Sequence, residues 1–330
     1  MDAVSIHEVR PDAFNYVWDN SLVPALEVES GEAVELHVRD ASDEQIHRGS
    51  GVEDVTKLDF SHVNPVSGPV FVKGARPGDV LAVELLEFRP PEWGWTAIIP
   101  DFGLLADEYP DPWLRISEVD AETATVRFAD GISLPYRPFP GTIGVAPTEP
   151  GEHPILPPSR FGGNMDTKHL RAGATLFLPV GAEGALFSLG DTHAAQGDGE
   201  VCGTAVEAAM DVVLRLSVRR DFEILAPQYH LPRGALTQTE ESSYHVCTAV
   251  GPDLMEGARD AVRATISHLG ERYGLDREEA YDALTRTRAG SYWNLVMPYA
   301  LASGLFAPSG PQARTSRPAR HRPASSGPRR

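Results

Sequence analysis

A mainly β fold of sandwich or barrel type, followed by a small α+β lobe, is what this 330-residue chain predicts. Three observations predict it. Short apolar runs alternate with charged residues at a period of two. Glycine and proline are frequent, at 30 and 28 residues, which favours many turns and short strands over long helices. A helical period emerges only past Gly251.

The elements follow in order. From Ala25 to Asp40, Leu26 and Val28, then Val34, Leu36 and Val38, alternate with charges around Ser30-Gly31, which predicts a hairpin with one buried face. Val70 to Glu87 predicts a second hairpin turning at Pro77-Gly78-Asp79, with Leu81, Val83 and Leu85 on one face. Arg89 to Trp113 is rich in proline and aromatics (PPEWGW, EYPDPW) and reads as a long surface loop or lid. Ala124–Phe128 and Ile132–Tyr136 form a third hairpin. The stretch from Pro138 to Asp166 holds too many Pro and Gly for a long regular element. Thr175–Val180 and Ala185–Leu189 are short strands. From Val206 to Val218 the alternation is long and unbroken, with Glu207, Asp211 and Arg215 on the outward face, so one long strand is expected. The segment 253–274 predicts a helix, with Leu254, Ala258, Ala261, Val262, Ile266 and Leu269 on one stripe. Asp253 is its N-cap and Gly274 its stop, and Asp276–Arg286 is a second, shorter helix.

Composition narrows the function. The 42% hydrophobic and 23% charged residues suit a folded body of one large domain or two to three lobes. The net charge is −18, and the segment past Phe306 holds six Arg and no acid, so the rest carries 23 basic against 47 acidic residues. Such a body repels a nucleic-acid backbone, so no nucleic-acid partner is expected; a small neutral or cationic substrate, or a divalent ion, suits it better. The segment 307–330 is Pro, Ser and Arg with little to bury and is expected to be disordered. MDAVSIHEVRPD lacks the basic start and apolar core of a signal peptide, and no apolar run reaches the ~18 residues of a membrane span. Cys202 and Cys247 are too few for a disulfide framework and read as reduced core residues of a cytoplasmic protein.

The chemistry is concentrated between Arg160 and Gly203. GGNMD (162–166) and GDTHAAQGDGE (190–200) are glycine-flanked polar clusters, the second holding one imidazole, one amide and three carboxylates in eleven residues. If the second cluster is extended, Asp191 and His193 share one side, and Gly197 and Gly199 let Asp198 and Glu200 fold back. The bland alternative is an Asx-rich loop whose acids cap backbone N–H groups. Asp166 is either a turn residue or a metal ligand, and Asp40 either a strand-end cap or a site carboxylate. Lys168 and His169 are surface residues, or Lys168 orients a carboxylate or polarises a carbonyl. His62, before Asn64-Pro65, is more suggestive of a site than His153. One imidazole with several carboxylates suits Zn²⁺, or Ca²⁺ if oxygens dominate. Neither HExxH nor CxxC is present, and Walker A, GxGxxG and GxSxG patterns are absent.

These motifs resemble the acetamidase/formamidase family. The matching pieces are 18–42, 64–87, GTIGVAP (141–147), GGNMDTKHL (162–170), 176–207 and the helical stretches of 251–281, in family order over roughly residues 15 to 305. The resemblance implies a jelly-roll-like β-sandwich, a central barrel-like β part and a C-terminal α/β part. The corresponding spans are 1–130, 131–221 and 222–306, ahead of the basic tail. It further implies hydrolysis of a short carboxamide to carboxylate and ammonia, with metal in some members, and a site drawing on Asp166, His193, Asp198 and Glu200. The segment 289–299 and the Arg-rich tail depart from the family pattern.

On this reading Asp166 and His193 hold a divalent ion, with Asp198 or Asp40 completing its shell. Glu200, aided by Asp198 and Lys168, does the acid–base work, and Asn164, Gln196 and His62 contact the substrate. The expected partners are a small amide and a second copy of the chain in a dimer, with no membrane. The rival is a non-catalytic ligand-binding sandwich or a decayed amidase.

Overall fold

Two large β-sheets share one core. The computed structural model describes residues 6–103, 106–107, 109–129, 132–197, 200, 202–232, 244–274, 291–296 and 299–306. The expected second helix at 276–286, the tail at 307–330 and Asp198 lie outside the described residues, as does part of the segment 289–299.

Among the described residues, nine strands make the first sheet. Their order is Ile6–Glu8, Ala33–Val38, Met210–Arg219, Val80–Arg89, Thr175–Pro179, Gln228–Leu231, Tyr244–Gly251, Tyr299–Phe306 and Ser291–Val296. The second sheet has eleven. Its main path runs Ile132–Pro135, Thr125–Ala129, Trp113–Asp120, Trp93–Ile98, Val206–Glu207, Phe187–Ala195, Phe139–Gly144 and Gly162–Asn164. Val66–Val72 also pairs with Phe187–Ala195 and carries Phe14–Asn15 and Leu26–Val28. Leu36, Leu81, Leu85, Leu176 and Leu214 of the first sheet meet Val70, Ile143, Phe187 and Leu189 of the second in one continuous buried cluster. Each fully buried side chain of this size contributes about 1.5–3 kcal/mol, so this shared core dominates the fold's stability. The mainly β, sandwich-like class is therefore the observed one, while the central part is open: no closed barrel forms among the described residues.

Two expected hairpins are arches between sheets. Leu26–Val28 pairs in parallel with Val66–Val72 in the second sheet, whereas Ala33–Val38 pairs with Met210–Arg219 in the first. The turn at Gly31, with φ +99°, carries the chain across. Likewise Val66–Val72 lies in the second sheet and Val80–Arg89 in the first. Alternation tells which face is buried but not which strand is the neighbour, so arch and hairpin look alike in sequence. The Thr125–Ala129/Ile132–Pro135 hairpin forms as expected.

Two further expectations change. Trp93–Ile98, expected in a surface loop, is a strand paired along its length with Trp113–Asp120. Its aromatic residues are good strand formers, and Trp95 is buried. The long strand from Val206 is two strands. Val206–Glu207 pairs in the second sheet, and after Ala208-Ala209 the chain enters the first as Met210–Arg219. The sheets also run through the expected lobe boundaries: the 125–135 hairpin straddles residue 130, and strands from all three spans form the first sheet.

The helix Leu254–Tyr273 matches its expectation. The Asp253 side chain accepts a hydrogen bond from the Glu256 N–H, and Gly274 ends the helix in the left-handed region. Ala261 of this helix packs on Ala249 of the first sheet.

Candidate active site

Four adjacent strands of the second sheet bring the site together. Phe187–Ala195 carries Asp191 and His193, two positions apart and so on the same side. On one side lies Phe139–Gly144, in which Pro140 opposes Thr192 and Thr142 opposes Gly190, so Gly141 faces Asp191. A Cβ on Gly141 would lie 2.6 Å from Asp191 Oδ2, 2.7 Å from Asp166 Oδ1 and 2.8 Å from His193 Cε1. The missing side chain is the space the cluster occupies. Beyond it, Gly162–Asn164 pairs with Phe139–Gly144 and delivers Asn164, and the backbone N–H groups of Met165 and Asp166 donate to the Gly141 carbonyl. Gly162 has φ +94°, and a Cβ there would meet the Ile143 carbonyl at 2.3 Å, so only glycine permits this approach. On the other side, Glu207 sits opposite His193.

Asp166 and Asp191 both have left-handed backbones, with φ 44° and 56°. Each such residue stores strain on the order of 1–3 kcal/mol, and such strain clusters at functional sites.

The cluster is buried: His193 is 0%, Asp166 1%, Glu207 2% and Asp191 3% exposed. His193 Nε2 lies 3.2 Å from Glu207 Oε2, 3.4 Å from Asp191 Oδ1 and 3.7 Å from Glu200 Oε1. Its Nδ1 lies 2.9 Å from Gln196 Oε1, and the Gln196 amide nitrogen donates to the Asp166 carbonyl at 3.0 Å. Phe139 packs edge-on to the imidazole at 5.0 Å. Asp191 Oδ2 accepts from Asn64 and Thr142, each at 3.2 Å. With its amide nitrogen turned to the carboxylates, Asn164 donates to Asp191 Oδ2 and Asp166 Oδ1, each at 3.0 Å.

Crowding carboxylates around one imidazole shifts the titration of Asp166, Glu200, Glu207 and His193. Burial, and then the charge of Asp191, pushes the Asp166 carboxyl up to about 7. Burial, and then Asp166, raises Glu200 well above the usual carboxylate range, and burial also raises Glu207. Burial works against a charged His193, but Glu207, Asp191 and Glu200 outweigh it and raise its pKa well above 6.5.

The donor set fits a divalent cation. Asp166, Asp191 and His193, and equally His193, Glu200 and Glu207, offer ligand atoms within 4.8 Å of one another. His193 Nε2, Glu200 Oε1 and Glu207 Oε2 are buried without an aligned hydrogen bond among the described residues. Buried polar atoms left without one call for a missing partner such as an ion. No Lys or Arg pairs with Asp191, Glu200 or Glu207 among the described residues. A mixed set of nitrogen and carboxylate oxygen is one that Zn²⁺ accepts.

The other expected residues lie as follows. Asn164 and Gln196 are in the cluster, but the Gln196 amide is engaged by protein atoms, so it orients His193 rather than meeting substrate. Lys168 is half-buried, two positions past Asp166. Asp40 is not among the grouped ligand atoms, and its carboxylate accepts from the Ser42 N–H and hydroxyl, the Glu44 N–H and the Trp95 indole. It caps a turn, with its oxygens engaged by protein donors. His62 is exposed, 3.0 Å from Asp59 and edge-on to Tyr16, and does not line the cavity that opens onto the cluster. Glu207, Gly141, Asn64 and Thr142 escaped the sequence reading, and Asp191 stands beside His193 there but is given no role. Only the glycine of GTIGVAP carried a local signal.

A cavity of about 140 Å³ opens onto this cluster, with Asn164, Asp191, Glu200 and Glu207 at its polar end.

Fold and site together define a two-sheet β protein with a buried imidazole–carboxylate centre at the end of a cavity. The acetamidase/formamidase family model matches residues 4–155 and 151–289, and the chain belongs to that family. The solved acetamidase of Bacillus halodurans has 30% identity and a TM-score of 0.81, over 92% of this chain and 97% of that one. The acetamidase of Mycolicibacterium smegmatis is 29% identical over 248 residues, covering 56% of this chain and 61% of its own length. The formamidase of Methylophilus methylotrophus is 26% identical over 259 residues, covering 62% and 63%. The chain thus spans less than two thirds of the length of these two relatives. No helix among the described residues is long and apolar enough to cross a membrane.

Proposed function

We propose that this chain hydrolyses the C–N bond of a carboxamide to a carboxylate and ammonia, using a divalent ion held by one imidazole nitrogen and several carboxylate oxygens, a set that Zn²⁺ accepts. The reading rests on one observation: His193, Asp166, Asp191, Glu200 and Glu207 converge at the end of one cavity. Asp166, Asp191, His193 and Glu207 are the proposed holders of the ion, which supplies Lewis acidity toward the amide oxygen and the attacking water.

This chain's own residues handle the proton. Glu200 is the least enclosed carboxylate of the cluster, with 14% of its side chain exposed, and it lines the cavity. It takes a proton from water as the water oxygen bonds to the carbonyl carbon. It returns that proton to nitrogen as the C–N bond breaks, because an amide anion is too poor a leaving group to depart unprotonated. Asn164 and Thr142 hold Asp191 in place, and Gln196 holds His193. Lys168 is proposed to orient the substrate carbonyl; Asp198 keeps its acid–base role on the GDTHAAQGDGE motif alone.

The test is ammonia release from simple amides, with metal analysis of the purified protein. Chelation should abolish release and Zn²⁺ should restore it, and Glu200→Gln should lower kcat by about 10²-fold or more. Undiminished release from metal-free protein would reject the metal role. An unimpaired Glu200→Gln enzyme would reject the base.

A further inference from the structure

The cavity is built of two unlike halves. Its polar end is the carboxylate cluster with Asn164. Its wall is apolar: Leu58, Phe60, Trp95, Ile99, Phe102 and Leu156. Two of these rings are held in place. Trp95 is fixed by its indole bond to Asp40 at 2.9 Å. Phe102 lies so close over Gly203 that a Cβ there would come within 2.3 Å of its ring. Phe60 and Leu156 keep 52% and 39% of their surface exposed, so the apolar wall continues outward where an occupant can cover it.

We propose that this site selects amides bearing an uncharged apolar body of propyl to phenyl size, in preference to formamide and acetamide. The proposal rests on the amide-hydrolase reading and adds the substrate class. The whole cavity, polar end included, is about 140 Å³, close to the ~150 Å³ of an apolar cavity that accommodates benzene, and the exposed rim at Phe60 and Leu156 extends it for the body of the substrate. Formamide has no carbon beyond its carbonyl and would leave the whole wall uncovered. Each methylene laid against the wall leaves water and raises kcat/KM about fourfold. No wall residue carries a charge, and the carboxylates at the polar end repel an acidic substituent, so the body is uncharged.

The experiment is kcat/KM of the metal-replete full chain for formamide, acetamide, propionamide, butyramide, benzamide and phenylacetamide. The expected series rises about fourfold per methylene to butyramide, with the best aryl amide at least about tenfold above acetamide. Formamide or acetamide as the best substrate overturns the preference while leaving the hydrolase reading intact. Ammonia from none of the six rejects the hydrolase reading, and the preference with it. Phe60→Ala and Leu156→Ala lie at the partly exposed rim, where truncation leaves the core intact. Each should lower the phenylacetamide-to-acetamide ratio of kcat/KM by about tenfold. An unchanged ratio in both variants overturns the proposal.

Discussion

His193 Nδ1 sits 2.9 Å from the side-chain oxygen of Gln196, and this contact decides what the other ring nitrogen can do. The Gln196 amide nitrogen faces the carbonyls of Asp166 and Gly197, so its oxygen must face the imidazole. An amide oxygen only accepts, so Nδ1 carries a proton. Nε2 is then the nitrogen turned to Glu207, Asp191 and Glu200.

Gln196→Ala removes this clamp. The expected result is a folded protein whose Zn²⁺ affinity drops about 10–100-fold, as for other residues that orient a metal-binding histidine. Competition titration with a chromophoric chelator reads this apart from activity. Unchanged affinity would make Gln196 a passive neighbour.

Gly141→Ala places a methyl group within 2.8 Å of Asp191, Asp166 and His193. Overpacking of this kind costs about 1–3 kcal/mol. Thermal melts should show that loss together with loss of bound metal, because the added carbon occupies the centre itself. A variant that melts and binds metal like the parent would disprove the crowding.

Asp40 should behave as a structural cap. Asp40→Asn removes an acceptor from a carboxylate that holds four donors, and Trp95→Phe removes one of those donors. Each should cost about 1–3 kcal/mol in urea unfolding. Metal stoichiometry should not move in Asp40→Asn; a drop would restore Asp40 as a ligand.

His245 predicts an acid limb of stability. It stacks on His268 at 3.7 Å, and its Nε2–H donates to Gln228 Oε1 at 2.8 Å. Burial first, then the neighbouring His268 and His230, lowers its pKa from 6.5 to about 3. The fold therefore accepts only the neutral ring. This contribution to stability is complete above pH 6.5 and is lost as the pH falls toward 3. Tm should fall from about pH 7 to about pH 5, and His245→Phe should flatten that slope. Equal slopes in both proteins would assign the acid sensitivity elsewhere.

How much of this was legible beforehand depends on sequence range. Asp166, His193, Glu200, Asn164 and Gln196 stood out because GGNMD and GDTHAAQGDGE crowd ligating groups between glycines within a few residues. Glu207 did not, because it sits inside an alternation that continues to Val218. That pattern is the same whether the chain stays in one sheet or changes sheets at Ala208-Ala209. Asp40 and His62 looked eligible by residue type, and only the structure shows their side chains engaged by Trp95 and by Asp59.

By itself the sequence determined the mainly β class, the buried faces, the helix with its Asp253 and Gly274 ends, and the family, because each is written in local periodicity or contiguous motifs. Tertiary structure alone decided which strands are neighbours, that two apparent hairpins arch between sheets, and that Gly141, Asn64 and Glu207 complete the centre. The physical reason is that side-chain alternation specifies a face but no partner, and these contacts join residues that only strand pairing brings together.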